Sequence, residues 1–303
     1  MPELPDVELY LAALRRHIVG HKLERIRLAT PFLLRSVEPP LEAAVGRTVT
    51  GVRRIGKRIV WELEGELFLV FHLMIAGRFK WRDRGATVPK RLGLAAFDFA
   101  AGTLLVTEAA TRKRASLHVV LGEAAVAAFD PGGLDVMTAT PDAFSRVLQT
   151  ENHTLKRALT DPHLLSGIGN AYSDEILHRA KLSPFKLTRQ LTTEETRALY
   201  VATVDTLAEW TARLQADAGD GFPTKVTAFH DGMAVHGRFG KPCPRCGTAV
   251  QRIVHGEHEV NYCPACQTDG RLLADRALSK LLKDDWPRTL DELERRRQRL
   301  AAE

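Results

Sequence analysis

No run of eighteen apolar residues occurs in the chain, which excludes a membrane-spanning helix of ordinary length. Pro5, Asp6 and Glu8 break up the first residues and exclude a secretory leader, so the protein is expected in the cytoplasm, associated with the nucleoid if its source is bacterial. Cysteine is scarce. The four present lie between Cys243 and Cys266, so no disulfide framework runs through the fold and thiolate chemistry is confined to one place. No internal repeat is visible, which excludes solenoids and propellers. Neither sign of charge dominates: 43 Lys and Arg face 37 Asp and Glu, a formal +6 that tilts toward polyanionic partners without demanding one. What remains is 303 residues with 45% hydrophobic content, enough for a full core in two or more domains.

The hydrophobic period changes along the chain. Val7, Tyr10, Leu11, Leu14 and Ile18 follow helical spacing, with Asp6 as the expected cap and Gly20 as the stop. Short β-rich stretches then follow at 22–28, 48–55, 58–63, 67–73, 94–99, 103–107 and 117–121, with turns at Gly65 and Gly102, and they predict a β-sandwich. Asp130-Pro131-Gly132-Gly133 punctuates the chain. Beyond it helices are expected over 141–149, 154–160, 171–179 and 193–214. Residues 217–241 are Gly-rich and irregular, suited to ordering over a ligand or to plain connection. Basic residues fall in three groups: Arg53, Arg54, Lys57 and Arg58; Arg78, Lys80, Arg82 and Arg84; Arg112, Lys113 and Arg114. Phosphate contact is their natural use, and solvated strand edges are the bland alternative.

Three local features carry chemistry. The chain starts Met1-Pro2-Glu3-Leu4-Pro5, and removal of Met1 before a small residue leaves Pro2 a secondary amine. An α-amine titrates at about 7.7–8.0, so a useful fraction is neutral at cellular pH and can attack the anomeric carbon of a sugar, giving an iminium. Glu3 is placed to move protons at the same sugar. Met-Pro alone reads as a loose tail, but the helix directly behind it ties it down. Second, Cys243-x2-Cys246-x16-Cys263-x2-Cys266 matches a closed tetrahedral four-thiolate zinc site, structural because no coordination position stays open; an iron–sulfur cluster is the other possible occupant. Third, Ser166-Gly167-Ile168-Gly169-Asn170 opens a helix, so backbone N–H groups and the Asn170 amide face an anion, with Lys156 one helix earlier as a further phosphate candidate.

Taken in order, the Met1–Pro5 start, Lys57 in a strand-turn context, His72-Leu73, Lys156 with Ser166–Asn170, and Val235-His236-Gly237-Arg238 leading into the cysteines make the chain resemble the formamidopyrimidine-DNA glycosylase and endonuclease VIII family over residues 1 to about 267. The resemblance implies an α+β multidomain fold: an N-terminal β-sandwich with flanking helices (1–133), a helical helix-two-turn-helix domain (134–236) and a four-cysteine zinc finger with one structural zinc ion (237–267); residues 268–303 run past the family's usual end and are expected to form a helical extension. It also implies base excision with abasic-site lyase activity on damaged DNA, by a monomer. Pro2 is then the nucleophile and Glu3 the proton shuttle, while Lys57, Lys156, Gly169 and Asn170 grip phosphates, with Arg35 and His72 as weaker candidates. Oxidised purines of the formamidopyrimidine or 8-oxoguanine type stand modestly ahead of oxidised pyrimidines. A protein that binds damaged DNA without catalysis is the alternative, and the presence of Pro2 and Glu3 speaks against it.

The chain departs from that family at the residues that fill the gap left by an extruded base. The formamidopyrimidine branch carries Met after His-Leu and then Asp-Pro-Arg-Arg-Phe-Gly. Here His72-Leu73-Met74-Ile75-Ala76-Gly77 offers Met74 or Ile75 as the wedge, and Glu108 is followed by Arg112, Lys113 and Arg114 with no Phe. In the finger, His258 stands where the family has Arg, with Arg252 or His255 able to compensate. After Cys266, helical spacing through Leu272, Leu273, Leu278, Leu281 and Leu282 predicts a packing helix, and the run Glu294–Arg299 is a solvated end or a DNA contact.

Overall fold

The computed structural model describes residues 1–255, 258–274 and 287–302. They form two compact units, residues 1–135 with 207–228, and residues 136–206 with 229–303. The first closes around helix α1 (Leu4–His17) and eight antiparallel strands: β1 (Arg25–Leu28), β2 (Val49–Ile55), β3 (Arg58–Leu63), β4 (Leu67–His72), β5 (Gly77–Arg82), β6 (Gly93–Phe99), β7 (Gly102–Glu108) and β8 (Ser116–Leu121), followed by a short helix α2 (Glu123–Ala127). The strands make two four-stranded sheets, ordered β1-β6-β7-β5 and β2-β3-β4-β8. This is the expected sandwich, with one strand the periodicity missed: β5 alternates Arg78, Lys80 and Arg82 outward with Phe79 buried, and its charge masked its period.

Aromatic rings from both sheets fill the space between them. The Trp61 ring lies 4.8 Å from Phe71 and 5.2 Å from Phe97, and Phe71 lies 5.2 Å from Phe79. Each such ring contributes about 1.5–3 kcal/mol by leaving water. The opposite face of β3 and β4 is covered as well, with Val60, Phe68 and Val70 packed against Val126 of α2. A sheet buried on both faces explains why 67–71 reads as an unbroken apolar run. Helix α1 buries Val7, Tyr10, Leu11 and Leu14. Asp6 is not its cap. Glu3 occupies the cap position, and Asp6, three residues in, accepts the Glu3 N–H at 2.9 Å to complete a capping box.

The second unit is built from α3 (Pro141–Thr150), α4 (Leu155–Thr160), α5 (Asn170–Arg179) and the first part of α6 (Thr193–Ala218), whose remaining residues belong to the first unit. Thr140 and Thr154 cap α3 and α4 with their hydroxyls. A hairpin of β9 (Gln251–His255) and β10 (His258–Tyr262) and a short α7 (Pro264–Gln267) complete the cysteine module. Beyond it Arg271 bridges Thr289, the Leu273 N–H donates to the Tyr262 hydroxyl at 2.7 Å, and α8 (Leu290–Ala302) follows. Leu272 and Leu273 are not helical; Leu278, Leu281 and Leu282 of the expected packing helix lie outside the described residues.

Candidate nucleic-acid interface and metal centre

In the first unit the residues behind Met1 are enclosed: Glu3 is only 2% exposed and Pro2 is buried as well. The Met1 amine just ahead of Pro2 sits in the field of Glu3, Arg78, Asp6 and Lys57, and burial holds it below its ordinary value near 8 while Glu3 opposes. Burial also pushes the Lys57 ammonium down, again against Glu3. Lys57 occupies the tight turn between β2 and β3, so the sheet delivers it to the α1 terminus. Helix start, turn and carboxylate therefore converge on the chain start. His72, at the end of β4, is pushed down to about 4 by burial and by Arg58, Lys57 and His118, so at neutral pH it is a neutral hydrogen-bonding group. Arg35 is exposed beside β8, its N–H bonded to the Leu117 carbonyl.

Arg53 and Arg54 of the first basic group, and Arg78 and Arg84 of the second, are structural. Arg53 pairs with Glu62 and Glu123, and Arg54 with Glu8 and Asp135. Arg78 donates to the carbonyls of Val226, Gly77 and Ile75, and Arg84 pairs with Glu24. The sequence offered no sign that these cations were already committed. The third group behaves differently. Buried Glu108 accepts the N–H groups of Arg114 and Ala115 and so shapes the loop after β7, Lys113 turns back to the Glu108 carbonyl, and Arg112 and Arg114 stand exposed.

This loop abuts the turn that holds the expected wedge, since Gly77 pairs with Glu108 and the Ala109 N–H reaches the Ala76 carbonyl. The turn is tightly specified. A Cβ on Gly77 would meet the Leu73 carbonyl oxygen at 2.2 Å. Met74 has φ 54°, a left-handed conformation costing a non-glycine residue about 1–2 kcal/mol, and Ile75 at the tip is 53% exposed. A strained turn presenting a bare isoleucine fits a residue that enters a base stack.

In the second unit Gly167, at φ +83°, makes the turn into α5, with Gly169 in the cap position and Asn170 leading the helix. The helix buries Asp174, Glu175 and His178, and each is partnered. Asp174 accepts from Lys156 Nζ at 2.5 Å, His236 Nδ1 at 2.9 Å and the Asn261 N–H at 3.1 Å. Glu175 accepts three consecutive N–H groups, Ala234, Val235 and His236, although burial pushes its carboxyl up. Lys156 is thus spent inside the unit, donating also to the Asn170 carbonyl at 2.7 Å, and does not stand free for a phosphate. Its ammonium neutralises a carboxylate that organises the finger. The sign available in the sequence was an acidic pair, Asp174-Glu175, in the middle of the helix.

The four cysteine sulfurs lie within 4.8 Å of one another, with separations of 3.4 Å (Cys246–Cys263), 3.5 Å (Cys246–Cys266) and 4.0 Å (Cys243–Cys266). A tetrahedron with Zn–S bonds of about 2.3 Å has edges of about 3.8 Å, so the set fits one zinc ion. Burial pushes the Cys266 thiol up to about 11; it opposes the thiolate at Cys246 too, but hydrogen bonds from Thr248, Cys263 and Cys266 together hold Cys246 at about 6. Four thiolates this close need a dication between them. His178 Nε2, on α5, lies 3.2 Å from Cys243 Sγ and joins the helix to the metal centre. On the hairpin, Arg252 stacks over Phe239 at 4.6 Å and reaches Glu259 at 3.4 Å. His258 pairs its backbone with His255, while both their side chains lie outside the described residues.

Three family models match in this order: the formamidopyrimidine-DNA glycosylase N-terminal domain over residues 1–120, its H2TH domain over 131–217, and the zinc finger found in FPG and IleRS over 240–268. The chain belongs to the formamidopyrimidine-DNA glycosylase family. A formamidopyrimidine-DNA glycosylase of Thermus thermophilus is 35% identical over 282 residues, covering 89% of this chain and all of that protein. One of Bacillus cereus is 30% identical over 281 residues, 88% and 99% of the two chains. Among solved structures, a Lactococcus lactis FPG mutant bound to DNA containing Fapy-dG has TM-score 0.78 at 25% identity, and the wild-type L. lactis protein bound to DNA containing an oxidised pyrimidine has 0.77 at 26%; each covers 88% of this chain and all of its own. Within this glycosylase family member, Pro2, Glu3, Lys57, His72, Met74, Ile75 and Arg112 fall in one unit, and Asn170, Gly169 and the finger in the other.

Proposed function

We propose that this chain removes oxidised bases from DNA and cleaves the abasic strand left behind, with Pro2 as nucleophile. The enclosed chain start, where Pro2 and Glu3 are buried and Glu3 and Lys57 lie close enough to act on the terminal charge, carries the reading. In the proposed sequence the Pro2 lone pair attacks the sugar C1′, the glycosidic pair leaves with the base, and Glu3 supplies a proton to the ring oxygen as the sugar opens to an iminium. Loss of a C2′ proton then expels the 3′ phosphate, and a second elimination expels the 5′ phosphate. Asn170, at the positive end of α5, and Lys57 hold backbone phosphates. Ile75, supported by Met74, enters the stack, with Arg112 and Arg114 beside it in place of the absent Phe. Residues 1–133 carry the chemistry on this reading, 134–236 and 237–267 the DNA grip, and 268–303 extend it. The protein works as a monomer, with zinc shaping the finger and taking no part in bond breaking.

Formamidopyrimidine lesions, which the relatives' names carry, are placed with 8-oxoguanine ahead of oxidised pyrimidines. Incubating the protein with a panel of lesion duplexes and borohydride tests both proposals together. A trapped adduct mapped to Pro2 and strongest on oxidised purines is the expected result; an adduct on Lys57, or trapping unaffected by a blocked N-terminus, would remove Pro2 from the reaction.

A further inference from the structure

Strand β5 opens with an arginine whose contacts run in several directions inside the first unit. The Arg78 backbone pairs with Thr107 of β7, while its side chain folds back over the preceding turn. Nη1 donates to the Ile75 carbonyl at 3.1 Å and to the Gly77 carbonyl at 2.6 Å. Between them the Ala76 carbonyl accepts the Ala109 N–H at 3.4 Å, and the Leu73 carbonyl accepts the Gly77 N–H at 2.9 Å. The turn that carries Met74 at φ 54° and the exposed Ile75 is therefore held through its carbonyls. A left-handed non-glycine residue persists only where its surroundings over-determine it, and Arg78 is one of the groups that do so here.

Another contact leaves the turn. Arg78 Nε donates to the Val226 carbonyl at 2.6 Å, on the segment 219–226 that follows α6. That segment is fixed independently at its other end. Arg16 Nη2 donates to the Gly219 carbonyl at 3.1 Å and the Gly221 carbonyl at 3.4 Å. The Phe222 ring lies 5.6 Å from His17, 6.1 Å from Tyr10 and 6.4 Å from Trp81, and Val226 is buried. Tyr10, Arg16 and His17 all stand on α1, the helix that begins directly behind Pro2 and Glu3. One planar guanidinium thus joins the Ile75 turn to a segment clamped on that helix, with Nε and Nη1 serving the two sides at once.

We infer that Arg78 is a positioning residue: it holds the Ile75 turn in register with segment 219–226 and helix α1, so that insertion of Ile75 into the base stack delivers the extruded nucleotide to Pro2. The inference rests on the DNA-repair reading for the reaction it serves. Arg78 acts through the turn and touches neither base nor sugar. It is needed where a paired base must be displaced. A preformed abasic site offers C1′ without extrusion and makes no such demand.

The test uses the zinc-loaded full chain in single-turnover assays on two duplexes, one with a paired lesion and one with a preformed abasic site. A 2-aminopurine beside the target reports unstacking. Since a misplacement of about 1 Å can cost about a hundredfold, Arg78→Met should slow base release about ten- to a hundredfold, with strand cleavage at the abasic site changed by no more than about twofold. The fluorescence rise on the lesion duplex should diminish with base release. Arg78→Lys keeps the charge but loses the fork, and should recover part of the rate. Phe222→Leu loosens the segment while leaving Arg78 in place and should give the same selective loss, whereas Arg82→Met, further along the same face of β5, should give none. If Arg78→Met does not fold, Phe222→Leu decides on the same two duplexes. Equal losses on both duplexes, or base release and fluorescence unchanged by the substitutions, overturn the inference and leave the repair reading standing. A chain that cleaves neither duplex, yet unstacks the lesion duplex in a way that depends on Arg78, overturns the repair reading and keeps the insertion role of Arg78.

Discussion

Asp174→Asn is the substitution whose cost the structure defines most closely. The side chain is fully buried and its two oxygens receive Lys156 Nζ at 2.5 Å, His236 Nδ1 at 2.9 Å, and the Asn261 N–H and amide at 3.1 and 3.3 Å. Asparagine keeps the volume but removes the charge and turns a donor toward donors. Lys156, 8% exposed, is left with the Asn170 carbonyl alone. Breaking a buried pair in this way costs about 3–5 kcal/mol, against a typical total of about 5–15 kcal/mol for a domain. At about 2–4 °C per kcal/mol for a unit of this size, melting should fall by on the order of 10 °C. Urea unfolding of the zinc-loaded protein, with a chromophoric chelator reporting metal release, measures the loss. Adding Lys156→Met removes the stranded charge, so the double variant should recover about 1–3 kcal/mol relative to Asp174→Asn alone. A loss under about 1 kcal/mol, or strict additivity, refutes the account. The alternative, in which Lys156 serves DNA, expects Lys156→Met to leave stability unchanged and to lower the salt slope by about 0.9.

Glu3→Gln should keep duplex affinity near that of the unsubstituted protein and slow base release by about two to four decades in single-turnover assays; unchanged release removes Glu3 from proton transfer. Ile75→Ala should weaken binding to a lesion duplex about tenfold while leaving single-strand binding alone, and equal losses on both would argue against insertion into the stack. Cys246→Ser should take zinc from one per chain to none, read by metal analysis, and DNA affinity should fall with it; retained zinc would show that the cysteines are not its ligands. His72 remains neutral in the fold down to about pH 4, whereas in the unfolded chain it protonates near 6.5. The unfolded state therefore binds more protons between those values, and stability in the absence of DNA should fall as pH drops from about 6.5 to 4. His72→Gln should flatten that part of the profile, and an unaltered profile would place the titration elsewhere.

What could be read directly from the sequence is what spacing alone determines. Period two with turn residues marks a sandwich, the apolar set from Val7 to Leu14 marks a helix behind the terminus, and two Cys-x2-Cys pairs describe a tetrahedron wherever they are placed. Such features depend on neighbours along the chain, so they need no knowledge of what folds against them. The partners of charged groups are different. Arg53, Arg54, Arg58 and Arg78 are the same residue type in similar basic clusters, yet the first two end in ion pairs, Arg78 on backbone carbonyls, and Arg58 beside two histidines. Lys156 likewise looks available until Asp174, on the next helix, claims it. A charge is committed or available according to what lies within a few ångströms in space, and at those distances its energy is decided by burial and by opposite charge brought from remote parts of the chain. Tertiary structure alone supplies that information, and it distinguishes the charges committed within the fold from those that are not.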